Sequence, residues 1–85
     1  MVKDEKELIN RITQDPGVMS GKPVIRGTRL TVQFIIGLLA EGFSVDEIIE
    51  EYEGISEMDV KACLLYASKS MDHTYVKLLK AEAPA

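Results

Sequence analysis

The sequence predicts a mainly α fold: a compact three-helix domain of helix-turn-helix type preceded by a short β arm. Three observations carry this. Thr31, Ser44 and Ser56 are preferred N-cap residues, each with an apolar residue just before it and another four positions later, pairing Leu30 with Ile35, Phe43 with Ile48, and Ile55 with Val60. Gly42 and Gly54 stand where a helix end favours a left-handed residue. Ahead of these signals, two glycines bracket a Pro-Val-Ile segment that suits a strand better than a helix. The 85 residues are read as one domain, with an N-terminal arm over 1–30, a helical core over 31–72 and a C-terminal extension over 73–85.

Taken in order, the N-terminal piece admits two readings. Lys3 to Ile12 has the mixed charge of a surface helix, whereas Leu8 to Thr13 followed by Asp15-Pro16-Gly17 reads as a strand ending in a turn. We favour a short strand near Arg11 to Thr13, paired with Val24-Ile25 or the Leu30 region. The next segment, residues 21–31, is the one clearly cationic stretch, with Lys22, Arg26 and Arg29 and no acid. Pro23 pushes Lys22 toward extended geometry, and Gly27 can take the positive φ of a tight turn between Ile25 and Leu30. The arginines then sit on a bent, exposed arm. A guanidinium offers planar, paired donors to phosphate or carboxylate, which makes Lys22, Arg26 and Arg29 the candidate nucleic-acid or anion contacts. The competing reading is an ordinary turn whose arginine pairs with a nearby carboxylate.

The helices are predicted over 32–41, 45–53 and 57–72 or beyond. Ser44 with Glu47, and Ser56 with Asp59, have the spacing of capping boxes. The connection Glu53-Gly54-Ile55-Ser56 has helix-turn-helix length, although an ordinary three-helix bundle would be punctuated in the same way. The second helix is a plain amphipath with Val45, Ile48, Ile49 and Tyr52 on one stripe and acids over the rest. On the first, Phe34 and Leu38 widen the apolar arc past half the circumference. The third carries two apolar strips, Met58-Ala62-Leu65 and Val60-Leu64-Ala67-Met71. Beyond Asp72 the apolar rhythm continues through Tyr75, Leu78 and Leu79. A helix that buries two sides needs two partners, so Phe34, Leu38, Met71, Tyr75, Leu78 and Leu79 are the candidate dimer or partner contacts, and a homodimer is expected. The alternative is a third helix that is simply central to one domain.

Composition limits the function classes. A chain this short buries only about 60–65% of its unfolded surface, which makes self-association a common remedy. Cys63 and His73 are the only Cys and His, so no Cys/His metal cage and no disulfide within one chain is expected, and no cofactor is implied. A single cysteine fits the cytoplasm. The longest apolar run, near Phe34 to Ala40, falls far short of the ~20 residues a membrane span needs, and the first residues lack a signal core. Residues 1–31 carry six Lys/Arg against four Asp/Glu, whereas residues 32–85 carry four against ten, for a net charge of −4. A protein built only to coat nucleic acid would be basic overall.

The run Gly-Lys-Pro-Val-Ile-Arg-Gly-Thr-Arg, preceded by Arg11-Ile12-Thr13-Gln14-Asp15-Pro16 and followed by a Leu-Ala-Glu-Gly-Phe-Ser turn, resembles the small bacterial and archaeal domain-of-unknown-function family 433. The likeness runs from about residue 9 to residue 70. It implies a compact helix-turn-helix-like fold and an antitoxin-like role, in which the protein neutralises a nuclease-like toxin of PIN-type fold and represses the operon they share.

The residues themselves give catalysis little to work with. Gly21-Lys22 lacks both the Ser/Thr and the first glycine of a phosphate loop, Cys63 lies within an apolar helix, and Asp72 and His73 are adjacent helical positions that do not face each other. Two functions of different class follow. One is a non-catalytic antitoxin-like protein whose acidic surface or apolar tail covers a basic nuclease. The other is a dimeric helix-turn-helix regulator of double-stranded DNA, against which Glu57 and Asp59 count, because they occupy the first turn of the would-be recognition helix and would meet phosphates.

Overall fold

The structure, a computed structural model, describes residues 4–71; of the sequence-derived contacts, Tyr75, Leu78 and Leu79 lie outside them. The chain is mainly helical, with a two-stranded antiparallel hairpin near its N-terminus. The elements are α1 (Glu5–Ile9), β1 (Ile12–Thr13), β2 (Val24–Ile25), α2 (Val32–Ala40), α3 (Val45–Glu51) and α4 (Glu57–Ser70).

The N-terminal piece satisfies both of its readings in succession. Asp4 caps α1 by accepting from the backbone N–H of Lys6 and Glu7, a helix that the preference for a strand had passed over. The chain then straightens into β1, whose Ile12 lies opposite Ile25 and whose Thr13 lies opposite Val24. Among the described residues there are therefore four α-helices rather than three. Between the strands, Asp15 Oδ1 accepts from the Gly17 N–H at 2.9 Å, which is the turn expected at Asp15-Pro16-Gly17. No local signal announces the next step, where Met19 and Ser20 both adopt positive φ ahead of Gly21. Each such non-glycine residue costs about 1 kcal/mol, so the loop needs support. Tyr66 of α4 supplies it through a relay: its hydroxyl donates to Gln14 Oε1 at 3.1 Å, and Gln14 Nε2 donates to the Gly21 carbonyl at 3.1 Å.

The helical half follows its punctuation. Thr31, Ser44 and Ser56 each accept the N3 backbone N–H, and the two serines complete capping boxes with Glu47 and Asp59. Gly42 and Gly54 have φ of +105° and +91°, which lets the chain leave α2 and approach α4 in a left-handed conformation. Each helix stops one or two residues sooner than the periodicity suggested; Tyr52, counted in the α3 stripe, is an extended C-cap residue. The linker between α3 and α4 consequently runs from Tyr52 to Ser56.

The second member of each staple pair, Ile35, Ile48 and Val60, is almost completely buried, and with Ile25, Ala62 and Cys63 these residues form the centre of the core where α2, α3 and α4 meet the hairpin. Burial, and secondarily the Asp59 carboxylate, push the Cys63 thiol up to about 12. It is an inert core group at neutral pH. The first members differ: Leu30 and Ile55 pack against the core, but Phe43 stays 46% exposed. Of the two strips on α4, Val60 and Ala62 are buried, whereas Leu64 and Met71 face outward.

Candidate functional site

The cationic stretch is a turn built on the hairpin. The Ile25 N–H donates to the Leu30 carbonyl at 3.0 Å, the Thr28 N–H to the Ile25 carbonyl at 2.9 Å, and the Thr28 hydroxyl to the same carbonyl at 2.8 Å. Gly27 sits in the middle with φ +81°, as its place in the sequence anticipated. Val24 and Ile25, immediately before the turn, are among the most buried residues of the molecule, so the stretch is anchored in the core and does not project as a free arm.

Arg26 is tied down. Its backbone N–H donates to the Arg11 carbonyl at 2.7 Å, and its Nε donates to the Asn10 carbonyl at 2.8 Å. The side chain thus lies along the end of α1, leaving only the terminal nitrogens for other partners. Lys22 and Arg29 are exposed and form no ion pair among the described residues. The three candidates are not gathered in one concavity: Arg26 borders a depression with Glu7, Asn10, Arg11 and Asp59, whereas Lys22 borders a groove on the α2 side.

Asp59 corrects a sequence-based expectation. It does not present a bare carboxylate to the surface of α4. Its side chain is mostly buried, with Oδ1 accepting from Arg11 Nη1 at 3.1 Å and Oδ2 accepting from the Ser56 N–H at 2.9 Å and the Ser56 hydroxyl at 3.3 Å. Both oxygens are occupied, and the charge is matched by a residue 48 positions away. Glu57, by contrast, remains exposed.

Of the concavities beside α2, two stand out, one almost wholly apolar and one with an apolar floor and an acidic rim. The first, of about 550 Å³, lies between α2 and the end of α4; Val32, Ile36 and Ala40 supply one wall, Ala67 and Met71 the other, and Lys22 stands at its edge. Met71 is 54% exposed there. The second, of about 480 Å³, lies where α2 turns into α3 and is floored by Leu38, Phe43, Ile48 and Tyr52 with Glu47, Glu50 and Glu51 around it. Phe34, itself 42% exposed, extends this surface, its ring meeting that of Tyr52 edge to face at 5.5 Å between centroids. The apolar surface of α2 is therefore wide, as the positions of Phe34 and Leu38 suggested. The parts of Phe43 and Tyr52 were missed because one was assigned to a staple and the other to the helix interior.

Among the described residues no three His, Cys, Asp or Glu side chains come together as metal ligands, and no helix is long and apolar enough to cross a membrane.

Comparison with known proteins places these features in a family. The family described as "Protein of unknown function (DUF433)" matches residues 12–67, from β1 into α4. A crystal structure of a DUF433 member from Anabaena variabilis superposes with a TM-score of 0.69 at 29% identity, covering 76% of this chain and 64% of that one. The uncharacterized protein y4eO of Sinorhizobium fredii is 30% identical over 56 residues, which are 66% of this chain but 25% of that protein. The chain thus spans a quarter of that relative's length and just under two thirds of the crystallised one. With the hairpin, the cationic turn, α2, α3 and most of α4 inside the matched region, the chain belongs to the DUF433 family.

Proposed function

We propose that the protein is a non-catalytic, antitoxin-type binding module, a homodimer that covers and inhibits a cationic nuclease-like toxin of PIN-type fold. The observation that carries this reading is the amount of apolar surface exposed among the described residues of so acidic a chain. Phe34, Phe43, Leu64 and Met71 are all large and exposed, and both concavities beside α2 have apolar floors. An uncovered surface of this kind on a small domain marks a site for another macromolecule, and net negative charge steers association with a basic one. The groove between α2 and α4, with Met71 in its lining, suits the homodimer contact, and the sequence beyond it adds Tyr75, Leu78 and Leu79 as further contacts.

The test uses the full chain. At ~100 µM, sedimentation equilibrium is expected to return about twice the chain mass, because a groove of this apolarity is poorly solvated by water. Co-expressed with a PIN-type nuclease, the chain is expected to co-purify with it and suppress RNA cleavage. A strictly monomeric protein that leaves the nuclease fully active would remove this reading.

The Arg11–Asp59 pair supports a second reading, duplex DNA binding, since it removes one of the two carboxylates that counted against it. Lys22, Arg26 and Arg29 would then supply the phosphate contacts. Arg29→Ala and Arg26→Ala are each expected to weaken duplex binding and to flatten its salt dependence by about one unit of slope per lost phosphate contact. Arg29→Ala is the cleaner variant, because Arg26 also holds the end of α1. Salt titrations followed by fluorescence anisotropy check it. Loss of binding in Glu57→Ala with both arginine variants unaffected would place DNA on α4 instead.

A further inference from the structure

The cleft at the junction of α2 and α3 has a charge pattern that the groove between α2 and α4 lacks. From Glu41 to Glu57 the chain carries seven carboxylates and no Lys, Arg or His. Glu47, Glu50 and Glu51 stand directly around the apolar floor. Glu47 lends one oxygen to the Ser44 N–H at 2.8 Å, while Glu50 and Glu51 make no ion pair among the described residues. The floor is firm. Ile48 beneath it is almost fully buried, the Phe43 N–H donates to the Leu38 carbonyl at 3.1 Å, and the Tyr52 ring is set edge to face against Phe34. A rigid aromatic and aliphatic floor inside an uncompensated anionic rim asks for an occupant that is apolar at its centre and positive at its edges.

We propose that the cleft of Leu38, Phe43 and Tyr52, rimmed by Glu47, Glu50 and Glu51, is a docking site for a cationic amphipathic segment of a partner protein, with an apolar anchor in the cleft and Lys or Arg on the carboxylates. The proposal rests on the protein-binding reading above and names the surface and the chemistry it recognises. Charge argues against a second copy's cleft, nucleic acid and anionic lipid, and the apolar floor argues against a small cation. A second copy seated face to face would set the same carboxylates against one another, since an isologous contact brings identical patches together. Nucleic acid and anionic lipid are repelled by the rim. A small polyamine would satisfy the charges and leave Phe43 and Leu38 bare.

The probe is a synthetic amphipathic peptide of about 15 residues, with one Leu or Phe anchor among lysines and arginines, titrated into the ¹⁵N-labelled full chain. The expected result is saturable binding whose amide shifts concentrate between Leu38 and Tyr52, and which weakens as salt rises. The charge-reversed E50K/E51K variant and Phe43→Ser are each expected to weaken binding about tenfold or more. Both sites are on the surface, and unchanged thermal unfolding of the variants confirms that the fold is intact.

Three outcomes overturn the site: shifts that map to Ile36, Ala40 and Met71 instead, equal binding by a peptide with glutamates in place of its basic residues, or undiminished binding to Phe43→Ser, which reduces the effect to diffuse attraction. The proposal also separates from the antitoxin-type reading. A nuclease that is inhibited as well by E50K/E51K as by the natural chain sinks this site and leaves that reading standing. Peptide binding at the cleft without any nuclease inhibition does the reverse.

Discussion

Ile35→Ala is expected to lower the free energy of unfolding by about 3–4 kcal/mol, the range for truncating a buried isoleucine whose neighbours cannot collapse onto the space left behind. Ile35 has no exposed surface, sits one turn into α2, and belongs to the cluster where α2 and α4 meet the hairpin. A domain of this size has on the order of 5–10 kcal/mol in total, so the loss is a large share of it. At roughly 4–8 °C per kcal/mol, the midpoint of thermal unfolding should fall by about 15 °C or more. Phe34→Ala on the same helix is the control. Its ring is two-fifths exposed, and its contact with Tyr52 is worth about 1 kcal/mol. Urea titrations of both variants decide the matter: a loss below about 1 kcal/mol for Ile35→Ala would mean that the core does not centre on α2.

The contrast between Ile35 and Phe34 shows what the sequence discloses and what it withholds. Cap, staple and glycine signals are local. They involve residues at most five positions apart, and their chemistry is the same in any fold, so Thr31, Ser44, Ser56, Gly42 and Gly54 could be read correctly from their neighbours alone. The pairing of Ile12–Thr13 with Val24–Ile25 was legible for a related reason, since a Pro-bounded β-branched segment beside a turn has few places to go. Contacts between distant segments were not legible. Nothing in the spacing joins Tyr66 to Gln14 or Arg11 to Asp59, because each pair meets only after α4 packs across the hairpin and α1. The same holds for the candidate surfaces. Periodicity showed that α2 has too much apolar arc for one partner, and it could not say that Phe43 leaves its staple half open or that Tyr52 turns to meet Phe34. Charge was misread at one position for the same reason. Asp59 and Glu57 look alike along the chain and differ entirely in three dimensions.

Asp59→Ala is the substitution that measures this difference, and we expect it to destabilise the protein by about 2–3 kcal/mol. Roughly 1 kcal/mol comes from the capping box, in which the Ser56 N–H loses its acceptor and the first turn of α4 loses a carboxylate favoured by the helix dipole. The remainder comes from the ion pair. Arg11 is 39% exposed on its side chain and Asp59 12%, so the pair is partly screened and contributes less than the 3–5 kcal/mol of a fully buried one. Arg11→Ala should cost less, about 1–2 kcal/mol, since Ser56 still holds the stranded carboxylate. The double variant should then lose less than the two single losses together, with a coupling of about 1 kcal/mol. Asp59→Asn adds a functional discriminator, because it keeps the volume and an acceptor for Ser56 while removing the charge. If Asp59 faced solvent as a carboxylate set against phosphate, this variant would be neutral to stability and would strengthen any duplex binding. Tied to Arg11, it should instead loosen α4 from the turn between α1 and β1 and leave Arg11 unpaired without opening a new face to DNA. A stability-neutral Asp59→Asn with tighter DNA binding would return Asp59 to the surface and α4 to the role of a recognition helix.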